Sequence, residues 1–429
     1  MRLTEGLRRL QGMALLAMAL GASAPAWAEP VPVSIEALGA GFRLTRAGQP
    51  YFIQGAGGGA SKSLLRALGG NSFRTWDLEG LKDELDEAQR LGLTVTVGIW
   101  LEHKSANFSY DNPLQMAQQF DAARRAIDEF KDHPALLMWG IGNEMEMDQE
   151  NHPALWQAVQ RIAAYAKKAD PKHPTMTVVA EIGQEKLAMI ARYCPSIDVV
   201  GINAYGGAPS LAERYRQLGG VKPYVLTEFG PPGPWEVEKT SWGAAIEASS
   251  TDKSEHYRRT YEGSVAHQPL SLGSYAFIWG HKQEATATWF GLMLPDGTRM
   301  GALDVLSGLW SGKPVRHAAP TIQRLSLDGP NRVPAQSIVH LKLDARSAGP
   351  DALQVEWVLQ LDPMQQSSGG AHEDVPAVFP QALLSADAHS ADFRLPAQAG
   401  SYRVFAYVRD GHGGGAVANV PLFVQATKP

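Results

Sequence analysis

Between residues 51 and 311, short apolar runs alternate with segments in which apolar residues recur every three or four positions. The first pattern reads as strands buried on both faces, the second as helices with one buried stripe. Residues 41–55 hold two extended pieces around a turn at Ala47-Gly48-Gln49-Pro50, a hairpin that leads into a first strand. A helix near 60–68, a strand from Asn71 to Trp76, a helix near 78–91 and a strand from Leu93 to Leu101 follow. Leu78, Leu81, Leu85 and Ala88 carry the second helix, because steps of three and four residues put them on one stripe. A helix near 113–131, with Ala117, Phe120, Ala123, Ile127 and Phe130 inward, precedes the fourth strand, Leu136-Leu137-Met138-Trp139-Gly140-Ile141-Gly142-Asn143-Glu144.

The rhythm then runs through a helix near 153–168, a strand from Thr175 to Glu181, a helix near 184–193 and a strand from Asp198 to Asn203. A helix near 209–217 and the seventh strand, Tyr224 to Glu228, come next. An irregular stretch from Gly230 to Ser250 is rich in Pro, Gly and Trp; structureless loops of that length are functional or disordered. A helix near 252–267, a strand from Ser271 to Trp279 and a helix near 301–311 complete eight alternations. They predict an α/β fold, a (β/α)8 TIM barrel rather than an open sheet.

Past Ser311-Gly312-Lys313-Pro314 the period changes to two. Alternating segments at 338–343, 353–359, 402–408 and 420–424, separated by turn residues, predict a small β-sandwich. The run Val404 to Gly415 resembles the closing hairpin of immunoglobulin-like modules, an architecture that implies no activity. The expected organisation is 29–315 as barrel with its leading hairpin and 316–429 as sandwich.

Composition narrows the picture. The 429 residues suit one barrel and a smaller domain. A formal charge of −5 offers no basic surface to nucleic acid. Cys194 is the single cysteine, which excludes an internal disulfide and a cysteine-based metal cluster and suits a small buried side chain. Arg2, Arg8 and Arg9, the apolar run Met13 to Leu20 and Ala26-Trp27-Ala28 read as a secretory signal over 1–28. No later stretch is apolar for a membrane-spanning length. The mature chain is expected to be exported to the periplasm or the exterior, as a monomer without cofactor.

The chemistry gathers at strand ends, where a barrel collects its catalytic side chains. A retaining glycosidase needs two carboxyl groups about 5–5.5 Å apart, one nucleophilic and one acting as acid and then base. The fourth strand ends at Asn143-Glu144 and the seventh at Glu228, and a carboxylate closing an apolar strand is costly unless paired or wet. Arg74 on the second strand could hold Glu228 ionised. After the sixth strand stand Asn203 and Tyr205, and Tyr205 could donate to the nucleophile. Trp279, closing the eighth strand, could floor a sugar pocket. His103 and Lys104 after the third strand, Glu181 ending the fifth, and Trp235 and Trp242 in the long loop are candidate pocket walls.

Trp139-Gly140-Ile141-Gly142-Asn143-Glu144 and Thr227-Glu228-Phe229-Gly230 resemble the acid/base and nucleophile motifs of the glycoside hydrolase clan A barrels, especially family 2 catalytic domains. The resemblance covers roughly residues 40–312. It implies Glu144 as acid/base, Asn143 orienting the substrate 2-hydroxyl, Glu228 as nucleophile, and Arg74, Tyr205 and Trp279 at the clan's second, sixth and eighth strand positions. It also implies retention at a β-linkage. Among β-linked oligo- and polysaccharides, an acidic chain with several candidate rim tryptophans suits a neutral β-glucan. Two features depart from family 2: the first strand ends in Gly55-Ala56-Gly57-Gly58-Gly59, and no sandwich domains lead the barrel in this sequence. The compact layout also resembles glucan-remodelling transglycosylases of the same clan. A glycan-binding barrel without turnover is the competing class. A metal-dependent hydrolase would want a His-x-His pair where the glycines stand, and those glycines lack the Gly-Lys-Ser/Thr of a phosphate loop.

Overall fold

The computed structural model describes residues 29–147, 152–362 and 373–426, so the signal segment expected over 1–28 lies outside the described residues. Strands β1 (Val33–Leu38), β2 (Gly41–Arg46) and β3 (Gln49–Tyr51) form a small antiparallel sheet. The expected hairpin is β2–β3, and β1 is an added strand whose largely exposed residues gave no alternating pattern.

Eight parallel strands then close a barrel: β4 (Ile53–Gly57), β5 (Ser72–Arg74), β6 (Thr94–Ile99), β7 (Leu136–Asn143), β8 (Thr175–Ala180), β9 (Val199–Asn203), β10 (Tyr224–Phe229) and β11 (Ser271–Phe277). Helices α1 (Lys62–Ala67), α2 (Leu81–Leu91), α3 (Pro113–Phe130), α4 (Pro153–Ala169), α5 (Gln184–Tyr193), α6 (Leu211–Gln217), α7 (Ser250–Ser264) and α8 (Gly301–Ser311) surround it. Local chemistry sets the ends of these helices. Asn112 caps α3 through Leu114 N and Gln115 N with Pro113 at the first position, and Gly92 closes α2 at φ +68°. Leu136 through Ile141 are buried on both faces of β7, which is why that run carries no polar alternation. No described helix is long and apolar enough to cross a membrane.

The N-terminal sheet stoppers one end of the barrel. Val33 N donates to Lys172 O at 2.9 Å, Phe42 N to Pro269 O at 2.9 Å, and Arg46 Nη2 to Pro134 O at 2.7 Å. Those acceptors lie just before β8, β11 and β7, so the sheet covers the ends where strands begin. Val33 and Leu44 pack there with Ile53, Leu137, Met176 and Val225. Only the other end, where strands finish, is left for chemistry.

Beyond the barrel run β12 (Arg299–Met300), β13 (Thr321–Asp328), β14 (Arg332–Pro334), β15 (Ile338–Arg346), β16 (Gln354–Leu361), β17 (Leu383–Ala386), β18 (Ser390–Arg394), β19 (Gly400–Arg409) and β20 (Gly414–Gln425). One sheet has the order β12-β20-β19-β16 with β14 also beside β20, and the other β13-β15-β18-β17. Leu341 and Phe393 of the second sheet share an apolar core with Trp357, Val404 and Leu422 of the first. The four alternating segments became β15, β16, β19 and β20, whereas β13 and β17 are half-exposed and β14 and β18, though alternating, span only three and five residues.

These sheets are stitched to the barrel. Strand β12, from the loop after β11, pairs with β20. Arg403 on β19 is 2% exposed, and its guanidinium reaches Asp362 at 2.9 and 3.2 Å, Asn419 Oδ1 at 2.6 Å and Ala245 O at 2.8 Å. Asn419 Nδ2 donates to Glu247 Oε2 at 2.7 Å. Glu247 pairs with Lys253 and also accepts from Thr286 at 2.7 Å and Thr288 at 2.8 Å. Burial pushes the Glu247 carboxyl up, but Lys253 and Arg403 outweigh it and hold the group below its usual range. Both long loops above the barrel, after β10 and after β11, therefore hang from one buried ionic knot.

Candidate active site

The end of β10 carries Glu228, 6% exposed, with donors on each oxygen. Arg74 Nη1 lies 3.3 Å and Trp76 Nε1 2.7 Å from Oε1, while Tyr205 Oη donates to Oε2 at 2.7 Å. An ionised carboxylate only accepts, so it matches this set. Burial and then the charges of Glu228 and Glu144 push the Tyr205 phenol well above its usual value, which keeps it a donor.

Arg74, 4% exposed, is the hub. Besides Glu228 it donates to Thr227 O at 2.8 Å, Asn143 Oδ1 at 2.9 Å and Asn203 Oδ1 at 3.3 Å. Asn203 Nδ2 donates to Glu144 Oε1 at 2.8 Å and to Asn143 Oδ1 at 3.1 Å, and Thr227 Oγ1 donates to Asn203 Oδ1 at 2.7 Å. A guanidinium cannot accept, so the Asn143 carbonyl faces Arg74 and its NH2 is turned elsewhere.

Glu144 sits just past β7 at φ +54°, behind Gly142 at φ +76°. A Cβ at Gly142 would be strained by that φ and would also displace the Met145 side chain. A non-glycine residue in the left-handed region is costly and is tolerated where the surroundings hold it; here Glu144 N donates to Val178 O at 3.0 Å. Burial, and next the charge of Glu228, push the Glu144 carboxyl up to about 7, with the Asn203 hydrogen bond opposing. Such a group is protonated below that value and charged above it. The folded state thus loses stability on this group as pH rises from 4.5 to about 7.

Were Glu144 a general acid, kcat/KM would fall as pH rises through about 7. In Glu144→Ala, assayed on a dinitrophenyl glycoside whose leaving group needs no proton, that limb is expected to vanish. A limb persisting near neutral pH in the variant would assign it to another group.

The site thus brings together Arg74, Asn143, Glu144, Asn203, Tyr205 and Glu228. His103 joins at the edge: its Nε2 lies 3.0 Å from Asn143 O, and its ring stacks on Trp100 at 5.1 Å. Trp235 stands on the rim, 58% exposed, edge-on to Tyr205 at 5.9 Å. Trp279 lies elsewhere. Strand β11 ends at Phe277, two residues earlier than expected, and Trp279 is 2% exposed with its indole N–H on Ser61 O at 3.0 Å. Phe277 is the aromatic that β11 delivers, set against Trp76 at 6.1 Å, Tyr205 at 6.0 Å and Phe290 at 5.6 Å. Trp242 belongs to the C-terminal contact, donating to Ser401 Oγ at 3.0 Å and packing on Phe423. Glu181 pairs with Arg214 at 3.0 Å, and Lys104 opens an exposed single turn of helix over Lys104–Ala106.

Sequence reasoning missed Trp76, Phe277 and Trp100. For Trp76 a signal was present: it stands two residues after Arg74, the step that returns a strand's side chains to one side. No local signal marked Phe277, since only the early end of β11 separates it from Trp279. Among the described residues, no three His, Cys, Asp or Glu side chains gather as a metal site.

Residues 64–231 match the model of the family described as glycosyl hydrolases family 2, TIM barrel domain. A β-glucuronidase of Sus scrofa is 26% identical over 148 residues, 33% of this chain and 21% of that protein. A β-glucuronidase of Paenibacillus borealis is 27% identical over 191 residues, 39% of this chain and 30% of that protein. The chain therefore corresponds to a minor part of these relatives' length. Among solved structures, Faecalibacterium prausnitzii β-glucuronidase superposes with a TM-score of 0.51 at 18% identity, covering 66% of this chain and 52% of that one. A β-glucuronidase of an uncultured Clostridium sp. does so with a TM-score of 0.52 at 16% identity, covering 66% and 54%. At these identities the likeness is one of fold.

Proposed function

We propose, from the match of residues 64–231 to the family 2 TIM barrel model and the likeness to β-glucuronidases, that the protein is a family 2-like clan A enzyme: an exported, retaining β-glycoside hydrolase acting on a neutral β-glucan. Glu144 gives its proton to the glycosidic oxygen while a Glu228 oxygen attacks the anomeric carbon from the opposite face. The bond to the leaving sugar breaks and a glycosyl ester of Glu228 forms. Glu144, now a carboxylate, takes a proton from water, whose oxygen displaces Glu228 and restores the β-configuration. Turned from Arg74, the Asn143 NH2 serves the sugar 2-hydroxyl. The observation that carries this reading is the asymmetry of the two carboxyl groups: Glu144 held near 7, Glu228 ringed by donors. A carboxyl raised toward neutrality beside one that only accepts hydrogen bonds suits an acid and a nucleophile.

Removal of residues 1–28 and an immunoglobulin-like sandwich over 316–429 belong to the same proposal; the shared core of the two C-terminal sheets supports the latter. A neutral sugar is supported by two cations of the loops above the barrel, Lys282 and Arg214, which each have a carboxylate partner, Glu284 and Glu181. A β-glucuronide is the second reading, favoured by the activity for which the relatives are named. Product analysis on β-glucans, short β-glucosides and β-glucuronides separates the two, and a transferred sugar among the products would make the protein a transglycosylase.

Incubation with a 2-deoxy-2-fluoroglycosyl fluoride tests the mechanism. The fluorine slows both steps and fluoride leaves readily, so the intermediate accumulates. The expected result is a mass increase of one fluorosugar on the peptide holding Glu228. Saturable sugar binding with neither adduct nor product would make the barrel a glycan-binding module instead.

A further inference from the structure

Trp100 is the first residue past β6 and, though a tryptophan, is 37% exposed. Its indole lies on the His103 imidazole with centroids 5.1 Å apart and planes 26° from parallel. His103 Nε2 is in turn 3.0 Å from the backbone oxygen of Asn143, the neighbour of Glu144. The loop between them is anchored: Glu102 N donates to Gln119 Oε1 at 2.9 Å, Glu102 O accepts from Tyr110 Oη at 2.8 Å, and Leu101 is fully buried. An exposed flat ring on a fixed loop is a surface built before any ligand arrives, which lowers the ordering cost of binding.

Its position says what it is for. Strand β6 adjoins β7, so the Trp100–His103 pair stands on the Glu144 side of the site. The group that protonates the glycosidic oxygen faces the departing sugar. Trp235, the other exposed indole among the described residues, stands instead by Tyr205, whose hydroxyl is on Glu228. We propose that Trp100, backed by His103, is a stacking platform for a pyranose ring on the leaving-group side. The substrate is then at least a β-linked disaccharide, and by microscopic reversibility the same platform seats a sugar acceptor when the glycosyl ester of Glu228 is resolved. This deepens the hydrolase reading and rests on it for the assignment of sides.

A comparison of laminaribiose and cellobiose with a glycosyl fluoride tests it, because fluoride is one atom and reaches no platform. In Trp100→Ala the ratio of kcat/KM for the better disaccharide to that for the fluoride is expected to fall about tenfold, ~1.4 kcal/mol, with Trp100→Phe keeping most of it. The yield of transfer product with added disaccharide should fall in parallel. An unchanged ratio and an unchanged transfer yield in a folded Trp100→Ala variant would overturn the platform. Should the wild type turn over none of these sugars, the hydrolase reading falls separately, and calorimetric titration with the same disaccharides decides the platform: about tenfold weaker binding in Trp100→Ala supports it, equal binding overturns it.

Discussion

Replacing Glu228 by alanine is expected to reduce kcat for β-glycosides by about four orders of magnitude, about 5 kcal/mol of barrier, without unfolding the protein. The carboxylate is the acceptor for Arg74, Trp76 and Tyr205 at 2.7–3.3 Å, and Trp76 and Tyr205 keep their apolar packing on Phe277 and Phe290 without it. Its loss leaves a space next to a guanidinium and two further donors, a site suited to a small anion. Sodium azide at high concentration should restore turnover of an activated β-glycoside by entering that space and attacking the anomeric carbon once. One displacement inverts, so the product is the α-glycosyl azide. The same experiment on Glu144→Ala, where Glu228 still forms its ester, should yield the β-azide after two displacements. The two azide configurations distinguish the roles without reference to rates. Undiminished turnover by Glu228→Ala would end its assignment as nucleophile.

Arg403→Met carries the largest expected effect on stability. The side chain is buried in the C-terminal sheet and satisfies Asp362, Asn419 and the Ala245 carbonyl at 2.6–3.2 Å. Methionine fills much of the volume but leaves the Asp362 carboxylate buried without its cation, and removing one partner of such a pair costs about 3–5 kcal/mol. Denaturant unfolding should show that loss. Lys342→Ala, which removes an exposed pair with Asp328 at 2.7 Å, should leave the midpoint where it was. A structural brace alone would change stability only. Because Ala245 and Glu247 belong to the loop that also carries Trp235, Arg403→Met is expected to raise KM for oligosaccharides as well, measured well below its unfolding midpoint. Equal stability in the two variants would show that the knot is not a brace.

The barrel was legible because its signal is local. Each strand is buried on both faces and each helix on one, so burial prints a period on neighbouring residues, as in β7 and in Leu81, Leu85 and Ala88 of α2. The half-exposed edge strands β13 and β17 print no such period, and β14 and β18 are too short for their alternation to stand out, so all four were missed.

By itself the sequence determined the alternation of strands and helices and the two glutamates that close apolar strands, because an ionisable group at such a place is costly and stands out. Only the tertiary structure decided which side chains serve them. Trp76 and Glu228 are 152 residues apart and meet at 2.7 Å, while Arg403 reaches Ala245 across 158. Phe277, not Trp279, faces the site because β11 ends where it does. Such contacts depend on how the closing barrel and the docked sheets bring distant segments together, and no stretch of chain records that in its own pattern.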